Sequence, residues 1–166
     1  MEAALEAKRA GTVRHIGVSS HSLEVALQMV PSGHFETIQF PFNFVTREPA
    51  DELLPLAQAH DVGFIAMKPF AGGLLDDATL SVKYLLQFEG VVPDPGIERV
   101  DEMREIVGIL AGEWALTAEE GQEIERVYTS YLPGPEQPDS AHLVGQTQRA
   151  AGDAAMSVAK ESRLVP

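Results

Sequence analysis

The sequence contains no cysteine among its 166 residues. This absence excludes disulfide bonds, thiolate metal sites, iron–sulfur clusters and cysteine nucleophiles. Basic residues are also scarce, since 12 Lys and Arg stand against 25 Asp and Glu and give a net charge of −13. A surface of that charge argues against general binding to nucleic acid or to an anionic membrane, but it leaves room for a local cationic pocket that holds a phosphate.

Long hydrophobic runs are missing as well. The longest apolar runs are too short to span a membrane, and the amino-terminal stretch MEAALEAKRAG has no apolar signal core. We therefore expect a soluble, cytoplasmic protein. No metal site is predicted, because His15, His34, His60 and His142 show no metal-ligand spacing. We interpret His21 as a polar loop residue rather than a catalytic base.

Short apolar segments that alternate with helical patterns are the main feature of the chain. The segments HIGVSS, TIQFPFNFV, GFIAMK and VVPDPG predict strands, and amphipathic stretches precede and follow them. This alternation predicts an α/β chain with a parallel sheet. The near-continuous apolar runs predict a sheet that is covered on both faces. Four such units form either half of a (β/α)8 barrel or a small open sheet.

The composition changes near residue 132. The segment from Leu132 to Pro166 begins with Pro, Gly, Gln and Ser and continues with an Ala-rich patch. We therefore predict one domain over residues 1–131 and a flexible or weakly helical tail over residues 132–166.

The predicted strand ends carry residues suited to a nucleotide. Sites in parallel α/β folds lie at the carboxyl ends of the strands. Lys68 and the glycine pair at Gly72 follow the third strand, where a cation and close backbone approach suit a phosphate. Ser19, Ser20 and Gln39 could hydrogen-bond an amide. A flat ring could pack against Met67 or Phe70.

Each of these features also has a purely structural interpretation. Ser20 or Ser22 could cap the helix that follows, and Gly72-Gly73 could form a simple turn. Glu102 and Glu105 are interpreted as a solvated charged face of a helix. No catalytic acid–base pair is assigned.

Four motifs, in order, resemble one enzyme family. RAGTVRHIGVSSHSLE, TIQFPFNF, FIAMKPFAGGLL and VVPDPGIERVDEMRE resemble the fifth to eighth strand regions of the aldo/keto reductases. The third motif has the MKP form of a broad, mostly prokaryotic branch. The resemblance covers about residues 2–131. It implies a parallel (βα)4 half of a (β/α)8 TIM-type barrel with C-terminal helices, and NAD(P)H-dependent reduction of a carbonyl substrate.

The resemblance also implies which residues would contact the cofactor. Two serines, a glutamine and a methionine would lie at the nicotinamide. The loop after the third strand would line the pyrophosphate, and the loop after the fourth strand would lie near the adenosine phosphate. The implied set is Ser19, Ser20, Gln39, Met67, Lys68, Phe70, Gly72, Gly96 and Ile97. Glu102 and Ile106 stand where the family usually has arginine and asparagine, so the choice between NADP and NAD stays open.

The family's catalytic Asp, Tyr, Lys and His lie on its first four strands, whereas this sequence starts just before the fifth. The resemblance therefore implies a truncated chain that lacks those residues, and activity of the chain alone stays open. Tyr84, Tyr128 and Tyr131 fall on helical segments. A half barrel would expose sheet edges, so we expect self-association or pairing with a separate N-terminal half. The alternative is a non-catalytic nucleotide-binding or dimerising interaction module.

Overall fold

Four strands form a parallel sheet in which spatial order follows chain order. The structure is a computed structural model that describes residues 1–132. The sheet has the order β1-β2-β3-β4, and each strand pairs in parallel with the next. The strands are β1 (Gly17–Ser19), β2 (Thr37–Pro41), β3 (Gly63–Met67) and β4 (Val91–Asp94). The predicted parallel α/β architecture is confirmed, and β2 ends at the proline that its sequence indicates.

Helices connect and follow the strands. They are α1 (Glu2–Arg9), α2 (Leu23–Met29), α3 (Glu48–Asp51), α4 (Leu53–Ala59), α5 (Ala78–Leu86), α6 (Val100–Leu110) and α7 (Ala118–Tyr131). The amphipathic stretch PADELLPLAQAHD is divided into two helices at Glu52, whose φ of −122° is not helical. Of the two candidate caps of α2, Ser22 is the one that accepts the backbone N–H of Val25, at 3.4 Å.

The core lies on one face of the sheet, between the strands and the helices. Ile38 and Phe64, which are neighbours in the register, are both buried there. Helix residues of α2, α4 and α5 complete the layer: Ala26, Leu53, Leu54, Ala57 and Leu85. Phe42 follows β2 and is fully buried, with its ring centroid 4.9 Å from that of Phe88.

The other face of the sheet carries no helix among residues 1–132. Gln39, Ile65 and Val92 share one register row there, and Val92 is 60% exposed. The prediction of a sheet covered on both faces is therefore not met within the described residues. Right-handed crossovers between strands in sequential order place every connecting helix on the same face. The strand composition alone does not reveal this order.

The chain separates into two units, Met1–Ile124 and Glu125–Pro166. The second is described only as far as Leu132. The predicted tail over residues 132–166 thus falls, apart from Leu132, outside the described residues, and its boundary stays a prediction. Within the described residues, no helix combines the length and the apolar character that a membrane crossing requires.

A charged pair joins α5 to the start of α7. The Lys83 ammonium lies 2.8 Å from both carboxylate oxygens of Glu120, and Lys83 is buried. The Glu120 carboxylate also accepts the Thr117 N–H at 2.8 Å, while the Thr117 hydroxyl accepts the Glu120 N–H at 3.1 Å. This reciprocal cap begins α7. The ion pair to Lys83 was not predicted from the sequence.

Glu120→Gln is expected to lower the free energy of unfolding by about 1–3 kcal/mol, because it leaves the Lys83 ammonium buried without its counter-charge. Lys83 and the Thr117 N–H lower the pKa of Glu120 below its ordinary value of 4.5. A lowered folded-state pKa means that the stabilisation is complete above pH 4.5 and is lost as the pH falls through the folded-state pKa. Urea unfolding at pH 7 and at acid pH tests both points. Equal stabilities for Glu120→Gln and the control Glu119→Gln would contradict the account.

Candidate functional site

The predicted cofactor residues all lie at the carboxyl-terminal edge of the sheet. Ser19 and Met67 end their strands, and Gln39 lies two residues before the end of β2. Ser20 follows β1, and the remaining residues lie in the loops after β3 and β4: Lys68, Phe70, Gly72, Gly96 and Ile97. Parallel strands bring these four separate segments of the chain to one edge.

The open face of the sheet carries a hydrogen bond at this edge. Gln39 Nε2 donates to Asp94 Oδ2 at 2.7 Å, across the intervening strand β3. Ser19 is the register neighbour of Gln39, and Met67 is the register neighbour of Asp94. Asp94 was not among the predicted site residues. Asp94 could have been identified from the sequence because it lies at the end of the predicted strand segment VVPDPG.

Ser20 has a local structural role. Its N–H donates to the Gln39 carbonyl at 3.1 Å. Its hydroxyl donates to the Ser22 carbonyl at 3.0 Å and accepts the Ser22 N–H at 3.1 Å. Ser20 therefore shapes the turn between β1 and α2, while Ser22 caps the helix. The cap interpretation is thus observed for Ser22, whereas the contact of Ser20 with a cofactor amide stays a prediction.

The loop after β3 adopts an unusual backbone conformation. Lys68 and Ala71 have positive φ angles of 56° and 48°, and Gly72 and Gly73 have φ angles of 72° and 94°. The left-handed region costs a non-glycine residue about 1–2 kcal/mol. At both glycines an added Cβ would meet no atom within 4 Å, so the space beside this backbone is open.

Asn43 holds Lys68 in this conformation. The side chain of Asn43 is buried, and its Nδ2 donates to the Lys68 carbonyl at 3.0 Å. Its Oδ1 accepts the N–H groups of Val45 and Thr46 at 3.0 and 2.9 Å. The amide therefore links the end of β2 to the lysine loop. Sequence reasoning missed it, although the asparagine lies within the TIQFPFNF motif.

His21 lies within electrostatic range of Lys68. Partial burial lowers the pKa of His21 below its ordinary value of 6.5, and the positive charge of Lys68 lowers it further. The two side chains come from the loops after β1 and β3. His21 lies in a loop, as the sequence indicated, and the positive charge of Lys68 acts on its pKa.

A groove of about 270 Å³ runs between the loop after β3 and the loop after β4. It brings together three predicted site residues, Phe70, Gly96 and Ile97, whereas Lys68 and Gly72 do not line it. Its full lining is Phe70, Gly73, Leu75, Asp76, Ala78, Gly96, Ile97, Glu102, Glu105 and Ile106. Among residues 1–132, no three His, Asp or Glu side chains are grouped to hold a metal ion.

The charged side chains that line the groove are carboxylates. The Glu102 carboxylate accepts the N–H groups of Glu98 and Arg99 at 2.8 and 3.0 Å, and these bonds lower its pKa. Arg99 Nη1 also lies 2.9 Å from Glu102 Oε1. The interpretation of Glu102 and Glu105 as a purely solvated charged face is therefore incomplete. Glu102 closes the first turn of α6, and both residues line the groove.

Comparisons with known proteins support the motif resemblance. Residues 1–81 match the Aldo/keto reductase family. The uncharacterized oxidoreductase YqkF of Bacillus subtilis is 34% identical over 80 residues, which are 48% of this chain and 26% of YqkF. The family resemblance is thereby confirmed over residues 1–81. The first three strand-end motifs lie within this match, and the fourth lies beyond it.

Solved structures extend the likeness beyond residue 81. Aldo-keto reductase AKR11C1 from Bacillus halodurans, in its holo form, has 25% identity and a TM-score of 0.64 over 76% of this chain and 54% of the reductase. An aldo/keto reductase from Klebsiella pneumoniae in complex with NADP and acetate, at 23% identity, has a TM-score of 0.64 over 83% of this chain and 55% of the reductase. The chain therefore spans about half the length of these structures and about a quarter of YqkF.

Proposed function

Because residues 1–81 match the aldo/keto reductase family, we propose that the carboxyl-terminal edge of this sheet binds a nicotinamide dinucleotide as the cofactor half of a carbonyl-reducing site. The observation that carries the proposal is the alignment of four separate strand-end segments along one edge, with an open groove at its far end. The bound dinucleotide would supply a hydride to an aldehyde or ketone.

The nicotinamide end would lie on the open face of the sheet. The Gln39 amide donates to Asp94, which orients its carbonyl oxygen to accept an N–H of the nicotinamide carboxamide. The Ser19 hydroxyl is placed beside it by the register of β1 and β2. Met67 lies one strand further on the same face, where its polarizable side chain can pack against the ring.

The pyrophosphate would lie at the loop after β3. Lys68 supplies a full positive charge, and the left-handed backbone at Gly72 keeps this side of the loop free of side chains. Phe70 lies in this loop and also lines the groove. The groove would receive the adenosine beside Gly96 and Ile97. The dinucleotide would thus extend from β2, across β3, to the loop after β4.

The groove carboxylates favour NAD over NADP. Asp76, Glu102 and Glu105 line the space where the adenosine ribose would lie. A 2′-phosphate there would add negative charge beside carboxylates, whereas ribose hydroxyls can donate hydrogen bonds to them. The NADP bound to the Klebsiella pneumoniae enzyme therefore does not settle the preference of this chain.

The proton for the carbonyl oxygen would come from residues outside this edge. Among the described tyrosines, Tyr84 lies on α5 and packs against Phe42, with ring centroids 5.9 Å apart. Tyr128 and Tyr131 lie on α7. We propose that the general acid is contributed by a further set of strands that covers the open face.

A second candidate function is a nucleotide-binding module without catalysis. The placement of every described tyrosine on a helix favours it. Such a module would bind the dinucleotide at the same edge of the sheet as the first candidate, but it would not reduce a carbonyl substrate. Oxidation of NADH in the presence of an aldehyde, with the chain alone and with a family N-terminal half added, separates the two.

Lys68→Ala is expected to weaken dinucleotide binding about 10- to 100-fold, because a charge-assisted contact contributes about 1.5–3 kcal/mol. The measurement is a titration of the full chain with NADH and with NADPH, followed by the fluorescence of the reduced nicotinamide. NADH should bind more tightly than NADPH. The control Arg14→Ala removes a cation before β1, at the opposite edge of the sheet, and should leave binding unchanged. Absent saturation, or equal loss in both variants, would reject the cofactor site.

A further inference from the structure

Helix α6 carries a row of exposed large hydrophobic side chains. Their exposed fractions are 65% for Val100, 48% for Met103, 55% for Val107, 41% for Leu110 and 48% for Trp114. Single exposed apolar residues are ordinary, but a contiguous row indicates an interaction surface. We call these five residues the α6 stripe. Trp114 follows the helix and folds back on it, since its Nε1 donates to the Leu110 carbonyl at 2.9 Å.

The spacing of the α6 stripe identifies the shape of its partner. Successive members are three and four residues apart, which is the spacing of a helix seam that packs against another helix. The buried residue of α6, Ile106, faces the rest of the unit instead. The α6 stripe is therefore a second apolar face, on a helix that already packs against the rest of the unit through Ile106.

β4, the strand that precedes α6 in the chain, has one unpaired edge among the described residues. β4 is the last strand of the sheet and, within residues 1–132, pairs only with β3. The chain passes from β4 directly into α6. A partner that covers both features must offer a strand edge together with a helix, in other words a single βα layer.

The opposite end of the same sheet offers such a layer. β1 is the other edge strand, and α1, which precedes it, has no buried residue. Ala3 and Ala7 lie on α1 and Ala10 follows it, spaced four and three residues apart. A row of small residues can receive a row of large ones at the same spacing.

We infer that a second copy of this chain docks its α1 and β1 against the α6 stripe and β4. Two-fold symmetry makes the contact reciprocal, so two four-stranded sheets would close into one eight-stranded barrel. Closure pairs both free edges and turns the open faces, with Ile65 and Val92, into an interior. This inference stands apart from cofactor binding.

The mass of the full chain in solution tests the inference. Light scattering should give twice the 18.0 kDa of one chain. Val107→Lys places a charge in the α6 stripe and should yield the single-chain mass with an unchanged helical circular dichroism spectrum. Gly108→Lys adds the same charge at the next position, where an added Cβ meets nothing within 4 Å, and should remain dimeric. A single-chain mass for the unsubstituted protein, or a dimer that persists in Val107→Lys, would overturn the inference.

Cross-linking identifies which helices meet and does not depend on the folding of Val107→Lys. The natural sequence has no cysteine, so Ala7→Cys and Val107→Cys each introduce a single thiol. A bismaleimide should join the two variants when they are mixed, and neither variant to itself. Cross-linking of Val107→Cys to itself would show that α6 meets α6, and absent cross-linking in the mixture would equally contradict the α1–α6 contact.

Discussion

Phe42→Ala is expected to lower the free energy of unfolding by about 3–5 kcal/mol, because it removes a large buried ring and leaves a cavity. The Phe42 ring is fully buried and lies at the centre of an aromatic cluster. Its centroid is 5.9 Å from those of Phe64 and Tyr84 and 4.9 Å from that of Phe88, all at edge-on angles. The cluster joins the end of β2 to β3 and α5, so its loss weakens the support of the site edge.

Equilibrium unfolding in urea, followed by circular dichroism, measures this effect. The matched control is Phe35→Ala, which removes a half-buried ring whose one described aromatic contact is with His34. Phe35→Ala should lower the free energy of unfolding by clearly less than Phe42→Ala does. Equal losses for the two variants would show that the aromatic cluster is not the centre of the core.

Asn43→Leu is expected to destabilise the chain by about 3 kcal/mol or more and to weaken dinucleotide binding. A leucine of similar volume removes the side-chain partner of the Val45 N–H and of the Lys68 carbonyl, whereas the Thr46 N–H keeps its bond to the Asn43 carbonyl at 3.2 Å. Each buried unpaired group costs about 1–3 kcal/mol. The left-handed conformation of Lys68 loses its support, so the loop after β3 should lose its order before the sheet unfolds.

Two readouts on the same variant test the role of Asn43: urea unfolding and the NADH titration. Gln58→Leu is the matched control, because the exposed Gln58 amide donates to the Glu89 carbonyl at 2.9 Å and does not contact the lysine loop. The control should change neither readout by much. Normal NADH affinity in a folded Asn43→Leu variant would remove Asn43 from the cofactor site.

Local patterns in the sequence were sufficient to predict the existence and the order of the strands. Apolar runs bounded by glycine, proline and polar residues marked all four strands, and Pro41 marked the end of β2. Because parallel strands end at one edge, the predicted cofactor residues could be assigned to that edge without a structure. The sequence also narrowed the cap of α2 to Ser20 or Ser22, and Ser22 is the cap in the structure.

Contacts between distant parts of the chain could not be predicted in this way. Gln39 and Asp94 are 55 residues apart, and Asn43 is 25 residues from Lys68. No spacing rule connects such pairs, because their proximity depends on strand order and register. The positive φ of Lys68 is also hidden, since lysine is not a residue that signals a left-handed turn.

The sheet face that no helix of residues 1–132 covers is the other feature that the composition did not reveal. Ile65 and Val92 make their strands look apolar on both faces, as in a sheet covered twice. Only the sequential strand order shows that the helices lie on one side. The α6 stripe could not be predicted for a related reason. The helix has two apolar faces, and the sequence does not show which of them packs against the rest of the unit.

The most direct test of the cofactor edge is an NMR titration of the full chain with NADH. The account predicts amide shifts at the strand ends, from Ser19 through Lys68 to Ile97, and none at Gly11 or Gly33, which lie away from that edge. The pKa of His21, lowered by burial and by Lys68 in the unbound chain, should rise when phosphates offset the lysine charge. Shifts elsewhere with an unchanged His21 titration would contradict dinucleotide binding at this edge.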